Sequence, residues 1–188
     1  MNISLRALAV AAMLSVTALS GAFAQDNPDV GGAAMFADKN IIENAVNSAD
    51  HTTLVAAVQA AGLVETLSGE GPFTVLAPVN AAFDALPAGT VDTLLKPENK
   101  EMLSTILACH VIPAKALSTD IMGMVEADGG EHVVDTVGGC KLTLKAADGK
   151  VTVTDENGTV ANVTIADVIQ SNGVIHVIDA VLTPKSAM

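Results

Sequence analysis

Tryptophan and tyrosine are absent from this sequence of 188 residues, and its aromatic content is four phenylalanines. Three of them, Phe36, Phe73 and Phe83, lie beyond the first 24 residues. The core must therefore be aliphatic, and no stacking platform for sugars or bases is expected, because the side chains that supply one are missing. Arginine occurs once, at Arg6, and the lysines are scattered. Nine basic residues face 21 acidic ones, for a formal net charge of -12. Such a chain has no electrostatic footprint for nucleic acid or for an anionic membrane surface. Its acid excess reads as a solubilising surface.

Catalytic motifs are missing as well. The sequence has no G-x-S-x-G elbow, no phosphate-cradling glycine loop and no H-E-x-x-H. His51, His110, His132 and His176 stand far apart, and Cys109 and His110 are adjacent rather than spaced as zinc ligands are. Asp155-Glu156-Asn157-Gly158 has turn residues without the longer oxygen-ligand spacing of a calcium loop. No catalytic residue, no metal site and no cofactor is expected.

What is present begins with a leader. Arg6 gives a weakly positive start, Ala7 to Leu19 is an apolar run too short to span a bilayer, and Ala22-Phe23-Ala24 is an A-x-A cleavage site. The expectation is a signal peptide over 1–24, cleavage before Gln25 and a secreted protein, periplasmic or extracellular. No cysteine stands at the cleavage site to carry a lipid anchor, and no later stretch is long and apolar enough for a membrane span. Loss of Arg6 makes the remaining 164 residues one unit more acidic, and that length suits a single domain.

Residues 25–38 are rich in Gly, Ala and Asp without period and read as a flexible N-terminal segment. Helical spacing follows through Ile41, Ile42, Ala45, Val46 and Ala49, and again through Leu54, Val55, Val58 and Ala61, with Gly62 at a C′ position and a short third helix over Val64 to Leu67. Phe73 to Ala77 is a buried strand, and Asn80 is expected to cap a short helix behind it. Pro97 starts a helix through Leu107 that turns Leu103, Ile106, Leu107 and His110 to one face, so His110 is expected inward as a hydrogen-bonded core residue. From Glu131 the period becomes two, with Asp148-Gly149, Asn157-Gly158 and Asn172-Gly173 as turns and Val174 to Leu182 as a central strand. Helices first and antiparallel strands last predict an α+β fold.

Three stretches carry a resemblance. G-P-F-T-V-L-A-P-V-N-A-A-F (Gly71 to Phe83), I-L-A-C-H-V-I (Ile106 to Ile112) and S-N-G-V-I-H-V-I-D-A-V-L-T-P (Ser171 to Pro184) resemble, in order and spacing, the first motif, the central Tyr-His segment and the second motif of the fasciclin (FAS1) family. The resemblance implies one FAS1 domain over 39–185, an antiparallel β-sandwich-like wedge with a helical layer. It further implies cell adhesion by non-catalytic binding at the cell surface or extracellular matrix, with His110, Asp167 and Val168 as partner-binding residues. Cys109 replaces the family's tyrosine, Val168 its isoleucine, and Val79 a threonine of the first motif. Because the leader looks bacterial, the expected partner is a surface protein, a polysaccharide or a host-surface ligand, met by a monomer.

Two cysteines in an exported chain favour a Cys109–Cys140 disulfide, with two buried free thiols as the alternative. Two further functions stay open: a small-molecule binder with a pocket between helices and sheet, using His110 or His176, and a hydrolase using Cys109 or a histidine.

Overall fold

The computed structural model describes residues 27–185, so the expected leader and its cleavage site lie outside the described residues. Helices α1 (Ile41–Ala45), α2 (Thr52–Ala61) and α3 (Val64–Ser68) precede strand β1 (Phe73–Pro78). Next come α4 (Asn80–Asp84), α5 (Thr90–Leu94), α6 (Lys100–Ala108), β2 (Val111–Ile112) and α7 (Ser118–Ala127). The chain finishes with β3 (Glu131–Asp135), β4 (Lys141–Ala147), β5 (Lys150–Thr154), β6 (Val160–Gln170) and β7 (Gly173–Ile178).

Local chemistry explains most of these boundaries. Gly62 ends α2 at φ 75°, its N–H donating to Gln59 and that of Leu63 to Val58. Asp148 and Gly149 both take positive φ, 53° and 74°, and turn β4 into β5. Asn80 differs from expectation. It is the first residue of α4 rather than its cap, and its side-chain oxygen accepts from the Thr53 N–H at 3.0 Å and the Thr52 hydroxyl at 3.2 Å. Asn80 therefore caps α2, a helix 27 residues upstream, because β1 brings the two helix starts side by side.

The seven strands form one sheet in the order β2-β1-β7-β6-β5-β4-β3. The α+β class holds. Every pair is antiparallel except β1 and β7, which run parallel from Phe73↔Gly173 to Pro78↔Ile178. The two motifs of the sequence are thus central neighbours. Strand β7 is buried along its whole length, as its continuous apolar run requires.

Two cores flank this pair. Val75, Ala77, Ile175 and Val177 face the helical layer and pack with Leu54, Val58, Ile106 and Leu107. Leu76 and Ile178, pointing the other way, join Ile121 and Val125 of α7 with Leu142, Leu144 and Val153. Strand β6 belongs to both halves: Val160 to Asn162 pair with β5, and Val163 to Gln170 pair with β7 through two register shifts.

The segment ahead of α1 contacts the sheet from its first described residue. The Asn27 side chain donates to the Ile169 carbonyl and accepts from the Ile169 N–H, Val30 bridges Ala33, and Val30 and Met35 are buried. Its two apolar side chains and one amide supply what its glycines do not.

Opposite ends of the sheet are tied by a seam. Val137 N–H donates to Val111 at 2.8 Å, Gly138 N–H to Ala108 at 3.0 Å, and Cys109 is disulfide-bonded to Cys140 with Cα atoms 5.4 Å apart. Gly138 permits this approach, since a Cβ there would lie 2.7 Å from the Cys109 nitrogen.

Candidate functional site

The expected partner-binding residues sit where β6 is bulged. Between Ile165 and Val168 the strand holds one residue more than β7 opposite, and Asp167 absorbs it at φ 59°, a conformation Asp tolerates better than most side chains. Its N–H donates to His176 Nδ1 at 3.3 Å, and its carboxylate accepts from the Ser118 N–H at 2.7 Å and from the Ser118 hydroxyl. Ser118 is the first residue of α7, so Asp167 satisfies and charges the helix N-terminus. The sequence pattern did not mark α7, because this cap comes from 49 residues away and Gly123, a poor helix former, weakens the helical signal of the stretch.

Alternation then decides Val168. With Asp167 aimed at α7, the next side chain enters the helical core, where Val168 is 0% exposed. It cannot touch a partner while the domain is folded. His110 is also inside, at 2% exposure. Its Nδ1–H donates to the Ile106 carbonyl at 2.8 Å and its Nε2 accepts from the Leu182 N–H at 3.0 Å, which clamps the C-terminal segment to the end of α6. Of the three residues, only Asp167 keeps partial exposure, and both of its oxygens are occupied. In this structure His110, Asp167 and Val168, the residues expected at a partner surface, are all engaged in holding the fold.

The remaining reactive groups are likewise engaged. His176 Nε2–H donates to Ala116 at 2.9 Å, and buried Ser48 gives its hydroxyl to His51 Nδ1 at 2.8 Å while His51 Nε2 faces the Ala77 carbonyl. Burial lowers the pKa of His51, His110 and His176, that of His110 to about 4 against the opposing pull of the Ile106 bond and Asp155. These rings are neutral near pH 7. The disulfide removes the thiolate that a Cys109 nucleophile would need. Among the described residues, no group of three His, Cys, Asp or Glu is placed to hold a metal ion, and no helix is long and apolar enough to cross a membrane.

A cavity of about 50 Å³ lies between helices and sheet, walled mainly by aliphatic side chains such as Ile41, Leu54 and Val58, with His51 and His110 also lining it. Pockets that enclose a drug-sized ligand hold about 300–1,000 Å³. Two shallow surface clefts are larger. One, of about 440 Å³, is polar and lies at the head of the parallel pair around Gly71, Lys115 and Asn172; the other, of about 450 Å³, lies between the end of α7 and the β4–β5 turn.

Comparison with known proteins agrees with this architecture. The family model described as "Fasciclin domain" matches residues 49–184. Protein sll1483 of Synechocystis is 50% identical over 155 residues, covering 82% of this chain and 79% of its own length. The immunogenic protein MPB70 of Mycobacterium bovis is 33% identical, covering 76% of this chain and 67% of its own. Transforming growth factor-beta-induced protein ig-h3 of Sus scrofa is 40% identical over 71% of this chain, a match to 17% of that much longer protein. Among solved structures, a FAS1 domain pair from the insect cell adhesion molecule fasciclin I superposes with a TM-score of 0.54 at 25% identity, over 67% of this chain and 42% of the other. The chain belongs to the fasciclin domain family.

Proposed function

We propose that this chain is an exported binding protein that acts without catalysis at the cell surface or in the extracellular matrix, on a protein or polysaccharide partner. The observation that carries this reading is that the reactive groups inside the domain are spent on the fold. Cys109 is bridged, and His51, His110 and His176 are hydrogen-bonded, buried and held neutral. Two relatives carry names that support the location: the solved pair comes from an insect cell adhesion molecule, and a Mycobacterium bovis relative 34% identical over 87% of this chain is a cell surface glycolipoprotein, MPB83. The A-x-A leader supports export.

Size counts against the small-molecule alternative, because the enclosed cavity is about 50 Å³. Recognition then falls to exposed faces. The test is fractionation of the source cells combined with deletion of the gene. The reading expects the protein in the periplasmic or extracellular fraction, and weaker attachment or aggregation of the deletion strain that added purified protein restores. A cytoplasmic protein, or a deletion strain unchanged in both properties, would overturn it.

A further inference from the structure

Strand β3 ends the sheet, and among the described residues no strand pairs with its outer side. An open edge is a row of backbone donors and acceptors awaiting another chain. The open stretch is Glu131 to Asp135, since just beyond it the Val137 N–H is already bonded to Val111. Its outward-facing side chains are Glu131, Val133 and Asp135, with Val133 53% exposed.

The inner neighbour displays the chemistry this strand accepts. Strand β4 sets Lys145 opposite Glu131, Thr143 opposite Val133 and Lys141 opposite Asp135, with ion pairs of 3.2 and 2.8 Å at the two ends. Each pair uses one carboxylate oxygen, Glu131 Oε2 and Asp135 Oδ1. The other oxygen can take a second cation. The surroundings carry the same sign: between Lys115 and Lys141 there is no Lys or Arg, while Asp120, Glu126, Asp128, Glu131 and Asp135 fall in that stretch. The shallow cleft beside Gly130 has Glu126 and Asp148 as its charged residues.

We infer that the free edge of β3 binds an extended basic segment of a partner protein as an added strand, with Lys or Arg at alternate positions flanking a β-branched residue. This deepens the binding reading above and rests on it. Main-chain hydrogen bonds supply affinity in such pairing, and alternate side chains supply selectivity. A second copy of the chain fits poorly. Antiparallel pairing of two β3 strands about Val133 would set Glu131 of one copy opposite Asp135 of the other, twice, and like charges directly opposite are destabilising.

The probe is the peptide Ser-Lys-Val-Thr-Val-Lys-Ser, capped at both ends and titrated at low salt into isotope-labelled protein of residues 25–188. The expected result is saturable amide shifts and slowed hydrogen exchange confined to residues 131–135. E131Q/D135N, which removes both charges while keeping side-chain shape, should weaken binding by about fivefold or more, and a glutamate-for-lysine peptide should not bind. Absence of saturable shifts up to about 1 mM peptide, shifts centred elsewhere, or unchanged affinity of a folded E131Q/D135N protein would overturn the assignment. A parallel assay of protein binding to intact cells separates the two readings. If peptide binding fails while the protein still binds intact cells, only the edge assignment falls; if the peptide binds while cell binding is absent, the surface function falls instead.

Discussion

Asp167 holds the first residue of α7, Ser118, from 49 positions further along the chain, its Oδ1 accepting the Ser118 N–H at 2.7 Å. One carboxylate thereby ties the bulge of β6 to the helix that covers the second core. Asp167→Ala removes the cap and leaves a Cβ-bearing residue at φ 59° without a polar side chain, so we expect a loss of about 2 kcal/mol in chemical denaturation. Asp167→Asn, which keeps an acceptor and tolerates that conformation, should cost about half as much.

Glycines at two positions should respond with opposite signs. A Cβ at Gly173 would lie 2.1 Å from the Phe73 carbonyl oxygen across the parallel pair, so Gly173→Ala must force the central strands apart and should cost about 3 kcal/mol or prevent folding. Gly123 lies inside α7 and a Cβ there meets nothing within 4 Å. Gly123→Ala should therefore stabilise by about 0.5–1 kcal/mol, read as a raised midpoint at unchanged slope.

The disulfide closes the seam between β2 and the β3–β4 turn across a sequence separation of 31. On the chain-entropy estimate, replacing both Cys109 and Cys140 with Ala should cost about 3–4 kcal/mol. Because both cysteines are buried, mild reductant should leave the folded protein bridged and act only once denaturant opens it, which a thiol count with and without denaturant will show.

Acid should destabilise the domain through its buried imidazoles. The folded-state pKa of His110 is depressed from the ordinary 6.5 to about 4, so the unfolded chain takes up a proton that the folded one refuses. The stability from this residue is fully present above about pH 6.5 and is lost as pH falls toward 4, about 3 kcal/mol in all. His51 and His176 shift in the same direction. Stability measured from pH 7 to pH 4 should fall steadily, and His110→Gln should flatten that slope by about one proton.

The elements that sequence marked were those whose chemistry is local. Asp148-Gly149 carries its own turn, Gly62 its own helix end, and the alternation of Lys141 to Lys145 its own strand. The parts it did not mark depend on residues distant in the chain. Asn80 looks like a cap for the helix it opens, yet its oxygen serves α2, and α7 takes its cap from Asp167. The inward fate of His110 was legible from helical spacing. The placing of Asp167 and Val168 at a partner surface rested on resemblance, and the bulge that turns Val168 into the core follows from a pairing register that no local pattern encodes.

A non-catalytic surface role is tested most directly by a binding isotherm of labelled protein, residues 25–188, with intact cells of its source organism. Binding should saturate and be displaced by excess unlabelled protein, with the bound protein recovered unaltered and the cell material it bound left chemically unchanged. Uptake that rises linearly without saturation, or release of a cleaved product on contact, would contradict that role.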